Sequence, residues 1–128
     1  MARNNYYTII ARIFYLEFDK GYEKRKKMIV YNLTMKVDFS IHDEWLQWQK
    51  EEHIPEVMAT GQFIDHKFYR LLDIDEEDGY TYVVQYIAAD IHHYDKYLQN
   101  HAPLLRHKSQ SKWGNRFITF RTVMKAVQ

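Results

Sequence analysis

One segment of this 128-residue chain alternates without a break. Between Met28 and Val37, residues Ile29, Tyr31, Leu33, Met35 and Val37 share one face, and Asn32, Thr34 and Lys36 lie on the other. A period of two marks a half-buried β-strand. Such a strand needs neighbours for its backbone and a layer over its apolar face. It therefore commits the chain to a sheet packed against something else.

The residues that follow supply those partners. Ser40 is expected to cap a helix, with Asp43 and Glu44 in the first turn near its positive end. Ile41, Trp45 and Trp48 recur at helical spacing, and Ile54, Val57 and Met58 continue the apolar stripe after a phase shift. Pro55 explains the shift, because proline inside a helix removes a backbone hydrogen bond and forces a kink or a restart. Gly61 closes the segment. Gln62 to Ile74 is predicted as a second strand. The acidic run Asp75-Glu76-Glu77-Asp78 reads as a solvated hairpin turn, with Gly79 free to take a positive φ. Tyr80 to Ala88 is a third strand, with Tyr80, Tyr82, Val84 and Tyr86 opposite Thr81, Val83, Gln85 and Ile87.

Asp90 is a good N-cap for a second helix, whose stripe runs through Ile91, Tyr94, Leu98, Ala102 and Leu105. Pro103 divides that helix, and Trp113-Gly114 ends it. Asn115 to Val127 is the last strand. The β-α-β-β-α-β order predicts an α+β, ferredoxin-like domain: a four-stranded antiparallel sheet with two helices on one face. The uncovered sheet face carries Tyr, Val, Phe and Met. An apolar face that wide marks a partner surface, and two such sheets pressed together would make a symmetric homodimer.

Composition narrows the function classes. The chain has no Cys, which excludes a disulfide scaffold, a thiolate zinc site and a cysteine nucleophile. No apolar run approaches the ~18 residues of a spanning helix, so no membrane partner is expected. Nothing requires an oxidising compartment, and a cytoplasmic location is expected. With 18 Lys+Arg against 17 Asp+Glu, phosphate neutralisation has little to draw on, so nucleic acid is not an expected partner.

The charge is unevenly spread. Residues 1–27 carry Arg3, Arg12, Lys20, Lys24, Arg25, Lys26 and Lys27 against Glu17, Asp19 and Glu23, a net +4 within a total of +1, which leaves −3 for residues 28–128. A targeting peptide fits poorly, since Arg12 and Glu17 interrupt the apolar run and no small-residue cleavage site follows. A basic tail for an acidic partner and a start of translation assigned too early both remain open. The latter has a motive: Glu-Lys-Arg-Lys-Lys is written in purine-rich codons, as a translated ribosome-binding site before Met28 would be. Residues 1–27 are accordingly read as an extension, poorly ordered or not native, and 28–128 as the domain.

Several residues are candidates for chemistry. His53 stands before Ile54-Pro55 at the helix break, where it could act as a general base or cap the broken turn. His42 lies in a first helical turn, where a positive charge opposes the helix dipole, and reads as a surface residue. His92 and His93 are adjacent and cannot chelate together, and no HxxxH or HExxH spacing occurs. No metal and no cofactor are expected. Trp45 and Trp48 either pack against the sheet or line a pocket for a flat aromatic ligand. Tyr82 and Tyr86 present the same two choices. Arg70 and Arg121 interrupt apolar strands, so each needs an acid such as Asp65 or Glu44, or an anionic ligand.

A resemblance accompanies these residues. The chain from Met28 onward is similar to a small bacterial family of unknown function within the dimeric α+β barrel superfamily. The likeness rests on His42-Asp43-Glu44-Trp45-Leu46-Gln47-Trp48, His53-Ile54-Pro55-Glu56-Val57-Met58-Ala59-Thr60-Gly61, Arg70-Leu71-Leu72, Gly79-Tyr80-Thr81-Tyr82, Gln85-Tyr86, Ala102-Pro103-Leu104-Leu105 and Phe120-Arg121-Thr122. The superfamily spans cofactor-independent oxygenases, haem-degrading and chlorite-cleaving enzymes, and plain ligand-binding proteins, so the likeness implies a fold and transfers no reaction. Two expectations follow. One is a homodimer that binds a small apolar or aromatic molecule or serves as an interaction module. The other is an oxygenase- or isomerase-like enzyme working in the helix–sheet cleft, with His53 as base and Trp48, Tyr82 or Arg70 as pocket residues.

Overall fold

The computed structural model describes residues 6–128. Arg3, counted in the basic segment, lies outside them. The chain runs α1 (Tyr6–Lys26), β1 (Ile29–Asp38), a 3₁₀ turn (Phe39–Ile41), α2 (His42–Trp48), a π-helical turn (Gln49–His53) and α3 (Ile54–Ala59). It continues through β2 (Asp65–Arg70), β3 (Gly79–Ala88), α4 (Ile91–Asn100), α5 (Ala102–Trp113) and β4 (Phe117–Lys125). The strands form one sheet in the order β2-β3-β1-β4, and every neighbouring pair is antiparallel. That order and the two helical crossovers are the ferredoxin-like arrangement.

Both helical crossovers break at their prolines. Pro55 sits in the first turn of α3, where its missing N–H goes unnoticed, and the phase shift is taken up by the wider π turn before it. Pro103 opens α5 in the same way. Asp90 caps α4 as expected, its carboxylate accepting from the His93 backbone N–H at 3.0 Å. Gly61 and Gly114 both take positive φ at helix ends, where a side chain would be strained.

Four local expectations need correcting. Ser40 does not cap α2. The carboxylate of Asp38 instead accepts from Ser40 N–H at 2.8 Å and opens the 3₁₀ turn, and that bond holds the Asp38 carboxyl below its usual range. The second strand is shorter than Gln62–Ile74, because Asp73 takes a left-handed φ of 57° and ends extension soon after Arg70. The last strand likewise stops short of its expected bounds, spanning Phe117–Lys125. Gly79 does not need a positive φ. It opens β3 opposite Asp38, and a Cβ there would overlap the Val37 carbonyl oxygen.

The core lies between the helices and one face of the sheet. Tyr31, Met35 and Val37 of β1 and Tyr82, Val84 and Tyr86 of β3 are buried there against Trp45, Val57 and Tyr97. Tyr31 is the hub, with the rings of Tyr94 and Tyr97 at 5.4 and 5.8 Å. The opposite face is banded by register. Asp65, Ile87, Val30 and Met124 lie across it in one row, Lys67, Gln85, Asn32 and Thr122 in the next, and Tyr69, Val83, Thr34 and Phe120 in the third. The middle row is bridged by side chains: Gln85 Nε2 donates to Asn32 Oδ1 at 3.3 Å, and Asn32 Nδ2 donates to Thr122 Oγ1 at 3.2 Å. The apolar rows beside it face outward, with Phe120 67% and Tyr69 51% exposed.

α1 contributes nothing to this core. None of its residues is buried, and Tyr7, Phe14 and Phe18 stand well exposed. No described helix is long and apolar enough to cross a membrane.

Candidate functional site

The broken helices leave a hollow where they cross the sheet. A cavity of about 190 Å³ opens between the π turn, α3 and α5 on one side and β1 and β4 on the other. Tyr31, Tyr86, Tyr97 and Phe117 give it aromatic walls, and Leu33, Met35, Val57 and Leu105 add aliphatic surface. The polar lining is Gln49, His53, Arg106, Ser109, Gln110, Thr119 and Arg121, with no acidic residue among them.

His53 reaches this wall because it ends the π turn. Its ring stacks on Trp48, with centroids 4.6 Å apart and planes 22° apart, and Trp48 meets Trp113 edge-on behind it. Its Nδ1 is buried and has no hydrogen-bond partner among the protein groups. Burial drives the imidazole pKa down to about 4; Glu56 opposes the shift and Lys108 adds to it. Those two charges pair with each other at 3.2 Å between α3 and α5. The ring facing the cavity is therefore neutral near pH 7.

Gln49 is the other buried polar group of the wall. Only 3% exposed, it leaves Oε1 without a partner, while its Nε2 reaches no better acceptor than the Met35 sulfur at 3.8 Å. An amide oxygen held this way is an acceptor in want of a donor. Arg106 and Arg121 bring positive charge to the same space. Arg106 donates to the Tyr31 hydroxyl at 3.0 Å. Arg121 projects from the helix-side face of β4 opposite Leu33, and no ion pair engages it among the described residues. Burial pushes the Tyr97 hydroxyl up, with Tyr31 adding, and both guanidiniums oppose that shift.

Of the residues singled out by pattern, three line this cavity: His53, Tyr86 and Arg121. The remaining four do not. Trp45 is fully buried in the core against Tyr82 and Phe68. Trp48 stacks on His53 and is not among the residues that line the cavity. Arg70 is held by an acid, although neither Asp65 nor Glu44 is that acid: its guanidinium bonds both Glu76 oxygens, at 2.9 and 3.1 Å, and lies 3.8 Å over the Tyr80 ring. Tyr82 belongs to the same end of the sheet. Its hydroxyl meets His42 Nε2 at 2.6 Å, and His42 Nδ1 meets Asp43 at 2.8 Å.

That chain also corrects the reading of His42 as a surface residue, since its side chain is only 15% exposed. It pins the start of α2 to β3 and is not part of the cavity that His53 lines. His93 likewise serves its own helix cap, with Nδ1 2.8 Å from Asp90. Among the described residues, no three acids or histidines gather around a point that could hold a metal ion.

Pattern did not single out Gln49 or Arg106. A signal existed for Gln49, which follows Trp45 by four residues on a stripe that is otherwise apolar. Arg106 stands four residues after buried Ala102, at the edge of the α5 stripe. A polar residue on a buried stripe is the informative exception.

Comparison with known proteins agrees with this fold and leaves the chemistry open. Residues 28–127 match the family described as "Domain of unknown function (DUF4286)", and the chain belongs to that family. No curated protein matches the sequence. Among solved structures, a variant of SnoaB, a cofactor-independent oxygenase from Streptomyces nogalater, superposes with a TM-score of 0.59 at 13% identity, over 80% of this chain and 95% of that one. An EthD-like protein from Ralstonia eutropha JMP134 gives 0.59 at 11% identity, over 80% and 95%. A dimeric ferredoxin-like protein from an uncultured marine organism gives 0.50 at 11% identity, over 79% and 96%. At such identities the likeness is one of fold.

Proposed function

We propose that this member of a family of unknown function is a homodimer that binds a small apolar or aromatic molecule in the cavity between its helices and sheet. The observation that carries the reading is the cavity itself, where aromatic walls meet polar side chains that include His53, Arg106 and Arg121. Small-molecule sites combine apolar walls with convergent polar groups in this way, although here the polar share of the surface is the larger. The dimer is supported by the exposed apolar rows of the open sheet face, which a second copy would cover with like contacts on both sides. One neighbour in fold is a dimeric ferredoxin-like protein.

An oxygenase- or isomerase-like enzyme with His53 as base is the second reading. A histidine with an unpartnered Nδ1 among the cavity-lining residues favours it, as does an oxygenase among the neighbours in fold. Binding ranks above it because an imidazole with a pKa of about 4 is a weak base at neutral pH. Native mass spectrometry of the protein from its own host tests both parts. The expected result is a dimer that retains a small molecule, with the molecule lost in Ser109→Trp, which fills the cavity. A stable monomer would sink the dimer, and a dimer with no retained mass would sink the binding role.

A further inference from the structure

The lining of the cavity says more than that the site takes something apolar. Two guanidiniums, Arg106 and Arg121, share a space that contains no acidic side chain, and both residues are exposed at its outer side. Arg106 is oriented by the Tyr31 hydroxyl, whose own ring is locked in the core. Arg121 rises from a β-strand between Phe120 and Thr122, and no ion pair engages it among the described residues. Elsewhere the chain treats its strand arginine differently: Arg70 is clamped by Glu76. Like charges left together without a counter-charge are unfavourable unless an anion joins them, and planar guanidiniums match a planar carboxylate.

A volume of about 190 Å³ lies below the roughly 300–1,000 Å³ of drug-sized pockets, so the occupant has one ring rather than several.

Building on the binding role proposed above, we infer that the ligand is a single-ring aromatic carboxylate, its carboxylate held by Arg106 and Arg121 and its ring set against the aromatic walls.

Four probes separate the terms: 4-hydroxybenzoate, benzoate, phenol and benzylammonium, each titrated into the full chain by NMR and calorimetry. The expected result is that 4-hydroxybenzoate and benzoate both bind at least tenfold more tightly than phenol, with no binding of the ammonium. Arg121→Gln and Arg106→Gln should each weaken 4-hydroxybenzoate by about tenfold, the scale of one lost charged hydrogen bond, and leave phenol unchanged. Arg116→Gln, which lines a different hollow, should change nothing. Phenol binding as tightly as 4-hydroxybenzoate, or arginine variants without effect, would overturn the anion assignment while the binding role stands. If no probe shifts cavity resonances, both the assignment and the binding role fall.

Discussion

Replacing His53 with Phe should flatten the acid sensitivity of this fold, by an amount the structure sets. In the native protein the imidazole pKa is about 4, against 6.5 for a free side chain, because the ring is buried. As pH falls from 6.5 toward 4, the unfolded chain takes up a proton that the folded chain refuses. The unfolded state binds more protons across that window, so stability drops as pH drops. Integrated from pH 7, this one group costs about 2 kcal/mol by pH 5 and about 3 kcal/mol by pH 4. Phe keeps an aromatic ring on Trp48 and never titrates. Urea unfolding followed by tryptophan fluorescence at pH 7, 6, 5 and 4, at one protein concentration, measures the effect. The expected result is a gap between wild type and His53→Phe that shifts by about 3 kcal/mol over the series, in favour of the variant at low pH. Asp38 and Asp90 also lose stability in acid, since hydrogen bonds from Ser40 and His93 hold their carboxyls below the usual range. They do so in both proteins and cancel in the difference. Parallel curves would refute the premise that His53 is kept neutral by burial.

Two further outcomes concern the scaffold. Gly79→Ala should destabilise by about 2–4 kcal/mol in the same assay, because its Cβ meets the Val37 carbonyl, a backbone atom that cannot turn aside. A chain beginning at Met28 should melt within about 2 °C of the full protein by calorimetry, because α1 contributes no buried residue and the family match also starts at residue 28.

The fold was legible because its signals are local. Alternation in β1, the caps at Asp90 and Gly61, and the breaks at Pro55 and Pro103 each depend on a few neighbouring residues. Two errors arise where a residue's partner lies far along the chain. Gly79 looked like a turn glycine until β1 was seen to pass against it, 42 residues earlier at Val37. His42 looked like a surface residue until Tyr82 came within 2.6 Å. Arg70 was expected to need an acid, and the acid was Glu76 of the turn that had been read only as solvated.

The sequence by itself determined the layer plan, since a period of two and a period of 3.6 can each bury only one face, and their order leaves few ways to stack. It also determined that an apolar sheet face would be left over. Which polar groups meet inside was decided by the tertiary structure. Gln49 and His53 stand four residues apart in the π turn, but no spacing along the chain links them to Arg106 of α5 or Arg121 of β4. They converge because two helix breaks hold the helical layer off β1 and β4, leaving a cavity between them. Charge and burial then give these side chains properties that none has alone: a neutral imidazole, an amide oxygen without a donor, and two cations without an acid.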